Sequence, residues 1–171
     1  MNLRLPGLAL VLGSMIPVAQ AQVLQPGLWE LTSSNVQVEN QQLDVGMLMG
    51  VLKQNTTPEQ RAALEKQGIN LGGEGVRVCL TPQQVASDSI PLTDPQSGCQ
   101  QQITERNGPD WKFRFSCPKA QGAGVAHFVS DREFSTKVSG TFNATGIQQN
   151  GSMETRAVWM GQDCGPVKPR T

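Results

Sequence analysis

The chain of 171 residues contains no tyrosine, a single histidine and only 5% aromatic residues. With so few rings it has little from which to build the stacking platforms that single-stranded nucleic acids use. Charge is sparse and balanced, 14 basic against 14 acidic residues. No basic stripe marks a nucleic-acid binder, and no polybasic patch suits an anionic membrane surface. A phosphate loop is missing as well. Gly72-Gly73-Glu74-Gly75 lacks the lysine and hydroxyl residue of a Walker motif and reads as a hinge between helix and strand. There is no nucleophile elbow. The lone His127 has no partner at metal-ligand spacing, and no cofactor motif occurs.

What is present begins at the N-terminus. Arg4 precedes an apolar run from Leu5 to Val18, and Ala19-Gln20-Ala21 supplies the small residues of a cleavage site. This is the pattern of a signal peptide over residues 1–21. The run is broken by Pro6 and Pro17 and falls short of the about 20 apolar residues of a spanning helix. No cysteine follows the cleavage position, so a lipid anchor is not indicated. The expected mature protein is a single exported domain, residues 22–171, with no transmembrane segment after cleavage.

All four cysteines, Cys79, Cys99, Cys117 and Cys164, lie in that mature part. An even count in an exported chain points to disulfides. Zinc sites bring two ligands close in sequence, which these spacings do not, so no metal site is expected. One bridge follows from hairpin geometry. Trp111, Phe113, Phe115 and Cys117 alternate with polar residues as a half-buried strand. Cys99–Arg106 is a second extended segment, with turn residues Asn107-Gly108-Pro109 between them. Centring the turn on Gly108 places Cys99 opposite Cys117, Ile103 opposite Phe113 and Glu105 opposite Trp111. Cys79 then pairs with Cys164 by elimination.

Elsewhere, Leu28–Glu39 reads as a strand whose apolar phase changes, which calls for a bulge near Ser33-Ser34. Trp29, beside Leu28 and Leu31, is expected to anchor that strand in the core. Met47, Leu48, Met49 and Leu52 fall at helical spacing within Leu43–Leu52, a segment weakened by Gly46 and Gly50. Thr57-Pro58-Glu59-Gln60 opens a second helix with a capping box, running to about Gln67 and ending at Gly68. These helices make residues 40–75 a partly helical insert. Val76–Leu80 alternates as a strand, Thr81-Pro82-Gln83-Gln84 starts another short helix, and Ser89–Gly98 is a loop. Strand patterns continue at Gly124–Ser130, Phe134–Phe142 and Gly151–Met160. The expected fold is α+β and mainly β: a curved, meander-like antiparallel sheet with one or two short helices, stapled by disulfides.

Candidate sites are few. Glu30, Glu74, Glu105, Asp110, Asp131, Glu133 and Glu154 are scattered, and a glycosidase needs two of them converging on one cleft. His127 is the only side chain that naturally titrates near neutrality, but a lone histidine defines no triad. No catalytic residue is therefore assigned. Met47, Leu48, Met49 and Leu52 are the candidate ligand-binding residues, since flexible methionines can line an adaptable apolar groove. Three asparagine-linked glycan patterns, at Asn55, Asn143 and Asn150, read equally well as turn and cap residues.

Taken together, Pro26-Gly27-Leu28-Trp29-Glu30, Cys79-Leu80-Thr81 before Pro82, the middle pair Cys99 and Cys117, and Gly161-Gln162-Asp163-Cys164 give the chain a family likeness. It resembles the small exported bacterial proteins grouped as domain of unknown function 3617. The resemblance implies periplasmic placement in a Gram-negative bacterium, and it implies no activity, ligand or catalytic residues. The expected function is that of a non-enzymatic binding or envelope-accessory domain for a hydrophobic small molecule, lipid or other envelope-derived ligand. The competing expectation is a small periplasmic hydrolase using the scattered carboxylates and His127. Nucleic acid is not an expected partner.

Overall fold

The computed structural model describes residues 24–66, 75–87, 89–91, 97–143 and 146–169. The segment read as a signal peptide, Gln67, Gly68 and the expected hinge residues Gly72–Glu74 lie outside the described residues, as do Ala144 and Thr145 of the second glycan pattern.

The described residues form eight strands, most of them marked by alternating apolar residues: β1 (Gly27–Val38), β2 (Gln41–Leu43), β3 (Val76–Leu80), β4 (Gln100–Asn107), β5 (Asp110–Cys117), β6 (Ala120–Ser130), β7 (Glu133–Asn143) and β8 (Gln148–Gly161). Three short helices interrupt them: α1 (Val45–Gln54), α2 (Pro58–Lys66) and α3 (Pro82–Val85). The strands form one open antiparallel sheet in the order β2-β1-β8-β7-β6-β5-β4, with β3 also paired to β1. Strands β4 to β8 are thus a meander of sequential neighbours, and β1 returns across the chain to lie on β8. This is the mainly β, antiparallel, disulfide-stapled fold that the alternation indicates.

Register follows the expected hairpin only in part. Gln100 opposes Ser116 and Ile103 opposes Phe113, but a register shift follows, so that Glu105 opposes Lys112 and Arg106 opposes Trp111. The expected Glu105–Trp111 pair is therefore replaced. The turn is a two-residue Gly108-Pro109 connection between Asn107 and Asp110, and Gly108 takes the left-handed φ of 57° that it requires. The displaced residues gain specific partners: Lys112 bonds Glu105 at 2.8 Å, and the Arg106 guanidinium lies 4.6 Å from the Trp111 ring centre. Two irregularities occur in β1 against β8, one between Leu28 and Trp29 and one between Ser34 and Gln37, near the expected bulge, where Asn35 has φ 49°.

One end of the apolar sheet face is the core. Trp29 is fully buried, packs with its ring centre 5.5 Å from that of Phe134 in a tilted arrangement, and donates its indole N–H to the Gln25 carbonyl. Trp111, Phe113, Phe128, Ala126 and Ala157 extend the layer, covered by Leu24, Leu80, Val85 and Ile90. Each large side chain so buried contributes about 1.5–3 kcal/mol of transfer free energy. Val85 reaches the core because α3 is fixed by a capping box between Thr81 and Gln84. Ile90 is held by its N–H bond to the Gln101 amide oxygen, 2.8 Å. Helices α1 and α2 bury no residue, although both are capped: Asp44 accepts from the Met47 N–H, and Thr57 and Gln60 form the expected box.

Two disulfides fasten opposite margins of the sheet. Cys99–Cys117 bridges the start of β4 to the end of β5 with Cα atoms 4.0 Å apart. Cys79–Cys164 ties β3 to the segment after β8 across 85 residues. Both pairings are those expected from the hairpin and elimination.

Candidate functional site

The apolar face continues beyond the core, but its character changes. Where β6, β7 and β8 run side by side, Gly122, Gly140 and Gly151 stand opposite one another, flanked by Phe115 on β5 and Val38 on β1. The missing side chains let neighbours come close here: Phe115 leans its ring over Gly122 and Phe142 over Gly151. The next row toward the core is Met153, Val138 and Gly124, with the Phe113 ring over Gly124.

The result is an open apolar groove of about 220 Å³. Its walls are Val36, Val38, Phe115, Val138, Phe142 and Met153, all half-buried, and its floor includes Gly140 and Gly151. No charged side chain lines it. Such a surface favours hydrocarbon over any polar ligand, because a charge placed there would lose hydration without a partner.

The residues assigned to binding from sequence lie elsewhere. Met47, Leu48 and Leu52 on α1 are exposed, Met47 by 71%, and Met49 is half-buried. None of the four lines the groove. Helix α1 begins just beyond β2, whose Leu43 pairs with Val36, so the two apolar surfaces are neighbours in the chain.

The carboxylates do not converge. Glu30 pairs with Arg77, Glu105 with Lys112, Glu133 with Arg156 and Glu154 with Lys137, each across neighbouring strands. Asp131 accepts a hydrogen bond from the Gln25 side chain. Glu74 lies outside the described residues. His127 finds Asp110 directly opposite on β5, with Nδ1 and the carboxylate 2.7 Å apart, while Asp131 lies in the turn after β6. Ser135 opposes His127 from β7. The two sit on an exposed sheet face rather than in a cleft, His127 being half exposed. Among the described residues, no group of three metal-ligating side chains comes together, and no helix is long and apolar enough to cross a membrane.

Sequence reasoning missed the groove. With Ala120 of β6 its lining comes from five strands, and the available signal was the recurrence of glycine in strands β6 to β8, which marks close approach or a tight bend.

Fold and site together define a class: an open antiparallel sheet, stapled at both margins by disulfides, with a glycine-floored apolar groove beside its core. A family model described as a protein of unknown function (DUF3617) matches residues 24–164, and the chain belongs to that family. It is 58% identical over 142 residues to a Pseudomonas putida protein named "Uncharacterized protein in lpd-3 5'region", a match covering 80% of this chain and 99% of that protein. No solved structure matches it significantly.

Proposed function

We propose that the mature protein is a periplasmic, non-enzymatic domain that holds an apolar or envelope-derived ligand in the groove between β1 and β5. The observation that carries this reading is the uncharged groove itself. Its walls Val36, Val138, Phe142 and Met153 remain half-exposed although the core beside them is closed. Export is supported by the signal-peptide pattern of residues 1–21 and by two disulfides, which persist in oxidising compartments. The absence of catalysis is supported by the engagement of the strand carboxylates in ion pairs rather than in a cleft. The exposed apolar side of α1, with Met47, Leu48 and Leu52, is a second surface through which such a ligand would be approached.

Native mass spectrometry of protein purified from the periplasm tests the reading, together with titration by a hydrophobic fluorescent probe. A retained apolar adduct is expected, as is probe binding that Met153→Glu lowers by at least about tenfold, because a carboxylate in the groove is desolvated. Consistently empty protein that ignores the probe would reject the reading and leave a structural role.

A further inference from the structure

On the face opposite the groove, polar residues form cross-strand rows. Two rows nearest the core end are densely ionic. One carries Lys112, Lys137 and Glu154; the other carries Asp110, His127 and Arg156. Lys112, Lys137, Glu154 and Arg156 each meet an opposite charge within 2.8–2.9 Å, and the His127 Nδ1 lies 2.7 Å from the Asp110 carboxylate. The next two rows differ in kind. Gln100, Ser116, Gln121 and Thr141 follow one another across β4 to β7, and Gln102 and Arg114 face each other beside them. Arg114 is the single charge in this band and makes no ion pair with any described residue.

These six residues, together with Gln101, Phe115, Gly122 and Gly140, line one depression of about 650 Å³, within the range of small-ligand sites. Five of the six are amides or hydroxyls, which donate and accept alike. None of them is engaged with another side chain among the described residues. A band that offers mixed donors and acceptors with one unmatched guanidinium complements a ligand rich in hydroxyl groups and bearing an acid. Lys119, exposed at the β5–β6 turn, adds a second cation where a neighbouring depression shares Gln121 and Thr141. Nucleic acid fits poorly, since its dense phosphate charge calls for many more cations.

We propose that this band binds an acidic glycan, with Arg114 pairing its acid group and the amides and hydroxyls of Gln100, Gln102, Ser116, Gln121 and Thr141 meeting the sugar hydroxyls. The six side chains alternate to the face away from the Phe115 and Val138 side chains, although the two depressions share Phe115, Gly140 and Thr141 in their linings, and the Arg114→Gln and Met153→Glu variants tell the two readings apart.

Amide chemical-shift titration of the intact protein with hexagalacturonic acid at low salt tests the proposal. Maltohexaose serves as the uncharged comparison and inorganic phosphate as the bare anion. Saturable shifts confined to the Gln100–Gln102, Arg114 and Gln121 region are expected. Affinity should fall at least about tenfold for maltohexaose, for phosphate and for Arg114→Gln, the loss of one charge-assisted bidentate pair. Arg114→Lys, which keeps the charge, should recover part of that loss. Because Arg114 is exposed, an otherwise unchanged spectrum verifies that each variant is folded. No response to hexagalacturonic acid, or equal binding by Arg114→Gln, would overturn the site. Phosphate binding as tightly as the oligosaccharide would overturn its assignment to a glycan.

Discussion

Gly122 and Gly140 face each other across β6 and β7 so closely that neither position has room for a side chain. A Cβ on Gly140 would stand 2.1 Å from the Gln121 carbonyl oxygen, and one on Gly122 would stand 2.2 Å from that of Ser139. The obstacle is backbone, which cannot rotate aside. Gly140→Ala should therefore destabilise the domain by about 1–3 kcal/mol, the usual cost of overpacking. Gly50→Ala, on α1 with open space around it, should leave stability unchanged or raise it by up to about 1 kcal/mol. Urea unfolding of the two variants gives the comparison, and equal effects would contradict the packing account.

Trp29 is the largest fully buried side chain, packed on Phe134 and hydrogen-bonded to Gln25. Trp29→Ala should cost about 3–5 kcal/mol. Trp29→Phe should cost less, because it keeps much of the ring contact while leaving the Gln25 carbonyl without its donor. Calorimetric unfolding of both variants reads the order directly.

The two bridges close loops of very different length, with sequence separations of 85 and 18. Chain-entropy arguments assign them about 4.6 and about 3.2 kcal/mol. Replacing both Cys79 and Cys164 by serine should accordingly lower stability more than replacing Cys99 and Cys117. Peptide mapping without reduction should recover the same two pairs and no free thiol among the four.

Glu154 receives hydrogen bonds from Lys137 and Asn35 and sits in the field of the Lys137 ammonium, which together hold its carboxyl below the usual carboxylate range. A depressed folded-state value stabilises the fold at pH above the ordinary carboxylate range. That contribution disappears as pH falls through the lowered value. The side chain is open to solvent, so the effect is small and salt-sensitive. Carbon-detected titration should find Glu154 titrating below an unperturbed glutamate, and Lys137→Met should move it back up.

How far the sequence revealed this structure varies along the chain. Cap chemistry at Thr57 and Thr81 located helix starts, because a capping box is satisfied within four residues. Hairpin symmetry placed Cys99 against Cys117 and Ile103 against Phe113. It failed at Glu105, where the register shift redirects the chain, because a shift of one residue depends on what Lys112 and Trp111 offer across the strand. Strand β2 went unread because its three residues are all exposed and show no alternation. The groove was the least legible feature. Its shape depends on how five strands lie together, and glycine at 122, 140 and 151 says only that something comes close. The band around Arg114 was hidden for a similar reason: Gln100, Ser116, Gln121 and Thr141 become neighbours only through register.

Strands β4 to β8 each pair with the next, so their hydrogen bonds close over short connections. Strand β1 instead rests on β8, with Leu31 beside Ala157. Synthesis proceeds from the N-terminus at about 5–20 residues per second. The strand bearing Trp29 is thus made among the first and meets its main partner only after nearly all the rest exists. Pairings so distant in sequence are slow to form, because the intervening chain must be ordered first. During that wait the indole of Trp29 has no Phe134 to pack on, so the first strand keeps its apolar face uncovered until β7 and β8 have formed.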